Sequence, residues 1–204
     1  EDVRYQPIVN KGCFRPAKYR WPGDMEGRTI LSLAMLQQTG KRDAKYLPKT
    51  MEMVPGRMND EGFFGKNYFP KCDEQQFSGH GWLLRGLCEL YADRQDPEVK
   101  AMIEKVVDNL VMPTQGKHKC YPINPAMRVK KKAKVSGEVL SEDGMWRLSS
   151  DVGCDFIFMD GVIHAAEVLD RKDLYPIIDE MVARFLEVDL VAIEAQTHAT
   201  LTGL

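Results

Sequence analysis

Three times along this chain a polar, carboxylate-bearing stretch opens onto an apolar helix rich in small residues, and each time a short polar link follows. The small-residue segments are Thr29-Ile-Leu-Ser-Leu-Ala-Met-Leu36, Gly81-Trp-Leu-Leu-Arg-Gly-Leu-Cys88 and Gly161-Val-Ile-His-Ala-Ala-Glu-Val-Leu169. Beyond the links lie helices of a second, amphipathic kind. Val99, Met102, Ile103, Val106, Val107 and Leu110 mark one face at helical spacing, and Ile177, Ile178, Met181, Val182, Phe185 and Leu186 repeat the stripe. Asp96-Pro97 supplies a start for the first of these and Pro113 a stop. A chain so patterned is confined to helical hairpins, in which a crowded inner helix is backed by a half-exposed outer one.

Three hairpins (about 27–57, 78–112 and 155–188) and the start of a fourth near 192 make the expected fold all-α. The finer expectation is an incomplete α/α toroid of the six-hairpin glycosidase type, over residues 21–204. Residues 1–20 read as an irregular arm. The stretch 113–150 is too long for a plain connection and reads as an insertion. Inside it Val129, Lys131, Ala133 and Val135 alternate with Lys130, Lys132 and Lys134, and Ser136-Gly137 offers a turn into Glu138-Val-Leu140, the pattern of a small β-hairpin. The chain opens on Glu1-Asp2 rather than Met, as a trimmed product would. Its last helix stops at Thr202-Gly-Leu204 with no outer partner, and its apolar face calls for a cover, either a missing C-terminal portion or a second copy.

Composition narrows the partners. A formal net charge of -2 gives no electrostatic case for nucleic acid or an anionic membrane. No apolar run approaches the roughly 20 residues of a spanning helix. The 5 cysteines form no C-x-x-C pair, and an odd number does not make a disulfide framework. The basic run from Arg128 to Lys134 alternates with apolar residues and reads as a solvated strand face.

If inner helices share one direction, the polar stretches before them gather at one mouth. These stretches are Trp21-Pro-Gly-Asp-Met-Glu-Gly27, Asp73-Glu-Gln-Gln-Phe-Ser-Gly-His80, Asp151-Val-Gly-Cys-Asp155 and Glu194-Ala-Gln-Thr-His198. Carboxylates and amides collected there suit a polyhydroxylated ligand such as a sugar. Helix capping accounts for one Asp or Ser in each stretch, and the surplus supports binding. Glu26, Asp155 and Glu194 are candidates for acid/base carboxylates, since glycoside cleavage needs a proton donor and a second carboxylate. Trp21, Asp24, Glu74, Gln76, His80, Asp151 and His198 are candidates for substrate contacts. His80 sits between Gly79 and Gly81, where a backbone can approach a ligand, whereas His164, inside an inner helix, suits packing. A zinc site drawn from Cys72, Cys154, His80 and Glu26 has no ligand pair at motif spacing, so no cofactor is identified.

The run Trp21-Pro-Gly-Asp-Met-Glu-Gly-Arg28, the link Gln38-Thr-Gly-Lys41 and Asn59-Asp-Glu-Gly-Phe-Phe-Gly65 resemble the first hairpin of β-L-arabinofuranosidase-like glycoside hydrolases. Gly79-His-Gly-Trp-Leu-Leu-Arg-Gly-Leu87 resembles that family's second inner helix. The resemblance implies an (α/α)6 barrel, a sugar contact at His80, a polysaccharide or oligosaccharide side chain as substrate, and a secreted or periplasmic setting. Its best-known members hold a cysteine nucleophile on zinc through a Glu-x-Cys motif and an adjacent cysteine pair. Neither motif occurs here, so zinc enters only if they lie beyond residue 204. The expectation is a glycosidase present as a fragment. The alternative is a non-catalytic helical module that binds carbohydrate or protein.

Overall fold

The computed structural model describes residues 21–128 and 139–204. These form a mostly helical body with one small sheet. In chain order the elements are α1 (Asp24–Gly40), α2 (Leu47–Met53), β1 (Cys72–Asp73), α3 (Glu74–Arg94), α4 (Pro97–Val106), β2 (Val139–Asp143), β3 (Trp146–Ser149), α5 (Cys154–Leu169), α6 (Tyr175–Leu186) and α7 (Thr197–Thr202).

The long helices α1, α3 and α5 lie side by side, and glycine sets their distance. A Cβ on Gly27 would stand 2.3 Å from the Leu83 amide nitrogen, and one on Gly86 would stand 2.6 Å from the Gly27 carbonyl oxygen. On the other flank of α3, a Cβ on Gly81 would fall 2.2 Å from the Ile157 carbonyl oxygen, and one on Gly161 would fall 2.5 Å from that of Gly81. The helices therefore touch backbone to backbone, as only small residues allow. Farther along, Gln37 Nε2 donates to Asp93 Oδ2 at 2.7 Å, and Arg85 Nε stands 3.7 Å from Asp160 Oδ2. Residue numbers rise together across both pairs, so the three helices are parallel and their N-termini share one end.

Parallel neighbours need a return path, which α2, α4 and α6 supply. Each inner helix ends on a non-glycine residue in the left-handed region: Lys41 at φ 47°, Gln95 at 51° and Asp170 at 50°. Asp96 caps α4 by accepting from the Glu98 N–H at 2.8 Å, with Pro97 at the first position. Val99, Ile103, Val106, Val107 and Leu110 are buried as their spacing predicts. On α6 only Ile177, Met181 and Phe185 are buried, while Val182 and Leu186 stay 36% and 77% exposed. Leu201 on α7 is likewise exposed. The inner helices begin earlier than expected at α3, where the polar stretch Glu74–Ser78 is itself helical and buried.

The insertion carries a β-hairpin within its described part. The hairpin pairs β2 with β3 and turns at Gly144, which takes φ 53°, after Asp143. Asp-Gly is a hairpin signal in its own right. The turn expected at Ser136-Gly137, the strand expected over 129–135 and the N-terminal arm lie outside the described residues. β3 also pairs in parallel with β1, in the order β1-β3-β2, which fastens the hairpin to the start of α3. Trp146 and Tyr121 are fully buried, and Phe77 stacks on Phe158 with ring centroids 4.6 Å apart.

Candidate functional site

At the shared N-terminal end a cavity of about 210 Å³ opens, and all four polar stretches reach it. Trp21 and Asp24 come from the first, Ser78 from the second, Asp151 and Cys154 from the third, and Gln196 and His198 from the fourth. Arg28, one turn beyond Asp24, completes the wall. Gly23 and Gly153, at φ 87° and 98°, let the chain turn sharply into α1 and α5. The Gln196 N–H donates to the Val152 carbonyl oxygen at 3.0 Å, which ties the entry of α7 to the turn before α5. Arg28 Nε donates to Asp24 Oδ1 at 2.9 Å, and its guanidinium lies 4.3 Å from the centre of the Trp82 ring. Cys154 Sγ donates to the Asp151 carbonyl oxygen at 2.9 Å, and burial pushes its thiol well above the ordinary range.

Of the residues singled out from sequence, Trp21, Asp24, Asp151 and His198 stand on this wall. The three candidate acid/base carboxylates do not. Glu26 is buried and lies two residues from Asp24, off the wall. Its carboxyl is pushed up to about 7 by burial, and its Oε2 has no hydrogen-bond partner among the described residues. Asp155 turns into the core, where Oδ2 lies 3.0 Å from His118 Nδ1, and His118 Nε2 lies 2.8 Å from Thr114 Oγ1. Glu194 is exposed at φ 51° in the turn before α7.

Glu74, Gln76 and His80, expected as substrate contacts, are buried away from the cavity wall and bonded within the protein. Glu74 accepts from Arg128 Nη1 and Nη2 at 2.9 and 2.8 Å and from the Ser149 N–H at 2.8 Å, with the Tyr121 hydroxyl as a further donor. Arg128 is thus a buried ion-pair partner rather than part of a solvated strand face. Gln76 Nε2 donates to the carbonyl oxygens of Phe64 and Lys66 at 2.9 and 2.8 Å. His80 Nε2 accepts from the Phe64 N–H at 2.9 Å and Nδ1 bonds the Gln76 carbonyl at 2.7 Å. These bonds fix the Nδ1–H tautomer, and burial drives the ring down to about 4, so it is neutral. The flanking glycines of His80 serve helix contact, since a Cβ on Gly79 would meet the Pro22 carbonyl oxygen at 2.0 Å.

Sequence reasoning missed Arg28, Ser78, Cys154 and Gln196 as wall residues. Arg28 had a signal, since it follows Asp24 by four residues and so shares its helix face. Among the described residues no three His, Cys, Asp or Glu side chains converge as metal ligands. Cys72 is buried in strand β1 with its thiol pushed up to about 12 by burial. The described residues therefore do not by themselves make up the zinc centre of the family that the chain resembles. No described helix is long and apolar enough to cross a membrane.

No protein-family model matches this chain. No curated protein and no solved structure matches it either.

Proposed function

We propose that the mouth is a carbohydrate site, and that the chain is part of an (α/α) toroid glycoside hydrolase of the arabinofuranosidase-like kind. The observation that carries this reading is the convergence of four separate polar stretches on one cavity. At about 210 Å³ it is smaller than the roughly 300–1,000 Å³ of drug-sized pockets and suits a single sugar residue. Its wall offers carboxylates (Asp24, Asp151), an amide (Gln196) and an imidazole (His198) to hydroxyl groups, with Trp21 as a face to stack on. Parallel inner helices backed by outer ones are what the first hairpins of such a toroid require. In this reading Asp24 and Asp151 flank the glycosidic bond, one giving a proton to the leaving oxygen and the other serving as base or nucleophile.

The test is turnover of a panel of aryl glycosides, arabinofuranosides included, by wild type, Asp24→Asn and Asp151→Asn. Loss of either carboxyl is expected to lower kcat by about 10²-fold or more. One observation favours a second reading, a module that binds sugar without cleaving it. The carboxyl that burial raises to about 7, Glu26, stands off the wall. Sugar binding with no turnover on any glycoside would select that second reading.

A further inference from the structure

We propose that the mouth takes a sugar bearing a carboxylate, and that Arg28 is the residue that selects it. This rests on the mouth being a sugar site. Arg28 is held but not used up. Asp24 engages Nε at 2.9 Å and Trp82 supports the guanidinium face at 4.3 Å, yet Nη1 and Nη2 make no hydrogen bond among the described residues. The side chain remains 42% exposed, whereas that of Asp24 is 9% exposed. A guanidinium whose stem and plane are fixed while its outer edge is open is prepared for two parallel bonds to a planar oxyanion, with little ordering left to do on binding.

The helices around it add to the preference. α1 and α5, of 17 and 16 residues, begin at Gly23 and Gly153 without any side-chain cap, and their first residues, Asp24 and Cys154, stand on the cavity wall. By contrast α3 is capped, since Asp73 accepts from the Gln76 N–H at 2.9 Å. Two parallel helices thus bring the positive ends of their dipoles to the mouth, where a ligand anion gains from both. Of the first-turn acids, Glu26 and Asp155 lie off the cavity wall and Asp24, paired with Arg28, stands on it. The charge of the ligand is bounded from above by Asp24 and Asp151, which share the wall. A phosphate ester carries about −1.5 to −2 near neutral pH and meets both carboxylates with nearly twice the repulsion of a single carboxylate. The ligand class is therefore a uronic-type sugar rather than a sugar phosphate.

Isothermal titration of the wild-type chain with D-glucuronate, D-galacturonate, D-glucose, glucose 6-phosphate and acetate tests this directly. At least one uronate is expected to bind roughly tenfold or more tightly than glucose, as charge-assisted bonds to one guanidinium allow. Glucose 6-phosphate and acetate should bind more weakly than that uronate. Arg28→Gln should abolish the preference for the uronate over glucose measured on the same variant, and Arg28→Lys should keep part of it. Thermal melts accompany both variants; if Arg28→Gln fails to fold, the wild-type series and Arg28→Lys decide. Glucose binding with no preference for a uronate overturns this inference and leaves the sugar reading standing. Tighter binding of glucose 6-phosphate, or acetate matching the uronate, overturns it as well. Silence toward every sugar removes both.

Discussion

Replacing Glu26 with Gln should stabilise the protein at alkaline pH and do nothing at acid pH. Glu26 is 6% exposed, Oε2 has no hydrogen-bond partner among the described residues, and burial lifts the carboxyl from its ordinary 4.5 to about 7. Below 4.5 the group is protonated in folded and unfolded chains alike, and its full contribution is present. Between 4.5 and 7 the folded chain binds more protons than the unfolded one, so stability falls as pH rises, and above 7 the loss is complete. A displacement of that size corresponds to about 3 kcal/mol. Glutamine keeps the shape and cannot ionise, so Glu26→Gln should exceed wild type by up to about 3 kcal/mol at pH 8 and match it near pH 4. His80 works in the opposite sense. Burial depresses its imidazole from 6.5 to about 4, so its contribution is present above 6.5 and is lost as pH falls through 4. In wild type these two slopes oppose each other between 4.5 and 6.5. Glu26→Gln removes one slope and should expose a steady loss on acidification. Urea melts at intervals from pH 4 to 8 measure this. A difference between variant and wild type that does not change with pH would refute the reasoning.

Two further perturbations test the frame that builds the mouth. Gly81→Ala places a Cβ 2.2 Å from the Ile157 carbonyl oxygen, between two helix backbones that cannot step aside. It should cost about 3 kcal/mol in a denaturant melt, and a loss under about 1 kcal/mol would contradict the direct α3–α5 contact. Arg128→Met should cost about 3–5 kcal/mol, because it leaves the Glu74 carboxylate buried with only the Ser149 N–H and the Tyr121 hydroxyl as donors. Adding Glu74→Gln should recover part of that loss, and a pair no better than Arg128→Met alone would show that the ion pair is not the cause.

The repeat of helix pairs was legible because its signals are local. Apolar spacing places Val99, Ile103 and Val106 on one buried face, and glycines within otherwise apolar stretches mark close packing, as Gly81 and Gly161 do. The convergence of the four polar stretches was legible for the same reason, since parallel inner helices leave their N-termini nowhere else to go. The Asp143-Gly144 turn of the observed hairpin carried a local signal of its own that the alternation over Val129 to Val135 drew attention away from. The roles of Glu74 and Asp155 were not legible at all. Their partners Arg128 and His118 lie 54 and 37 residues away inside the long insertion, and nothing in local pattern announces such a pairing.

What divides wall from strut within a single polar stretch is helical phase. Asp24 and Arg28 are four apart, so their side chains stand one above the other, and both reach the cavity. Glu26 lies between them at about 200° around the axis, which turns it from the mouth toward the protein interior. The same rule separates Cys154, on the wall, from Asp155, which at about 100° farther round meets His118. A carboxylate therefore becomes a ligand contact or a buried anchor according to which residue begins the helix. Sequence located the polar stretches and left the starting residue open by two or three positions, enough to exchange the two roles. In the proposed glycosidase reading, Asp24 and Asp151 therefore take the acid/base roles that the sequence alone offered to Glu26, Asp155 and Glu194. Arg28, four residues after Asp24, joins it on the wall by helical phase.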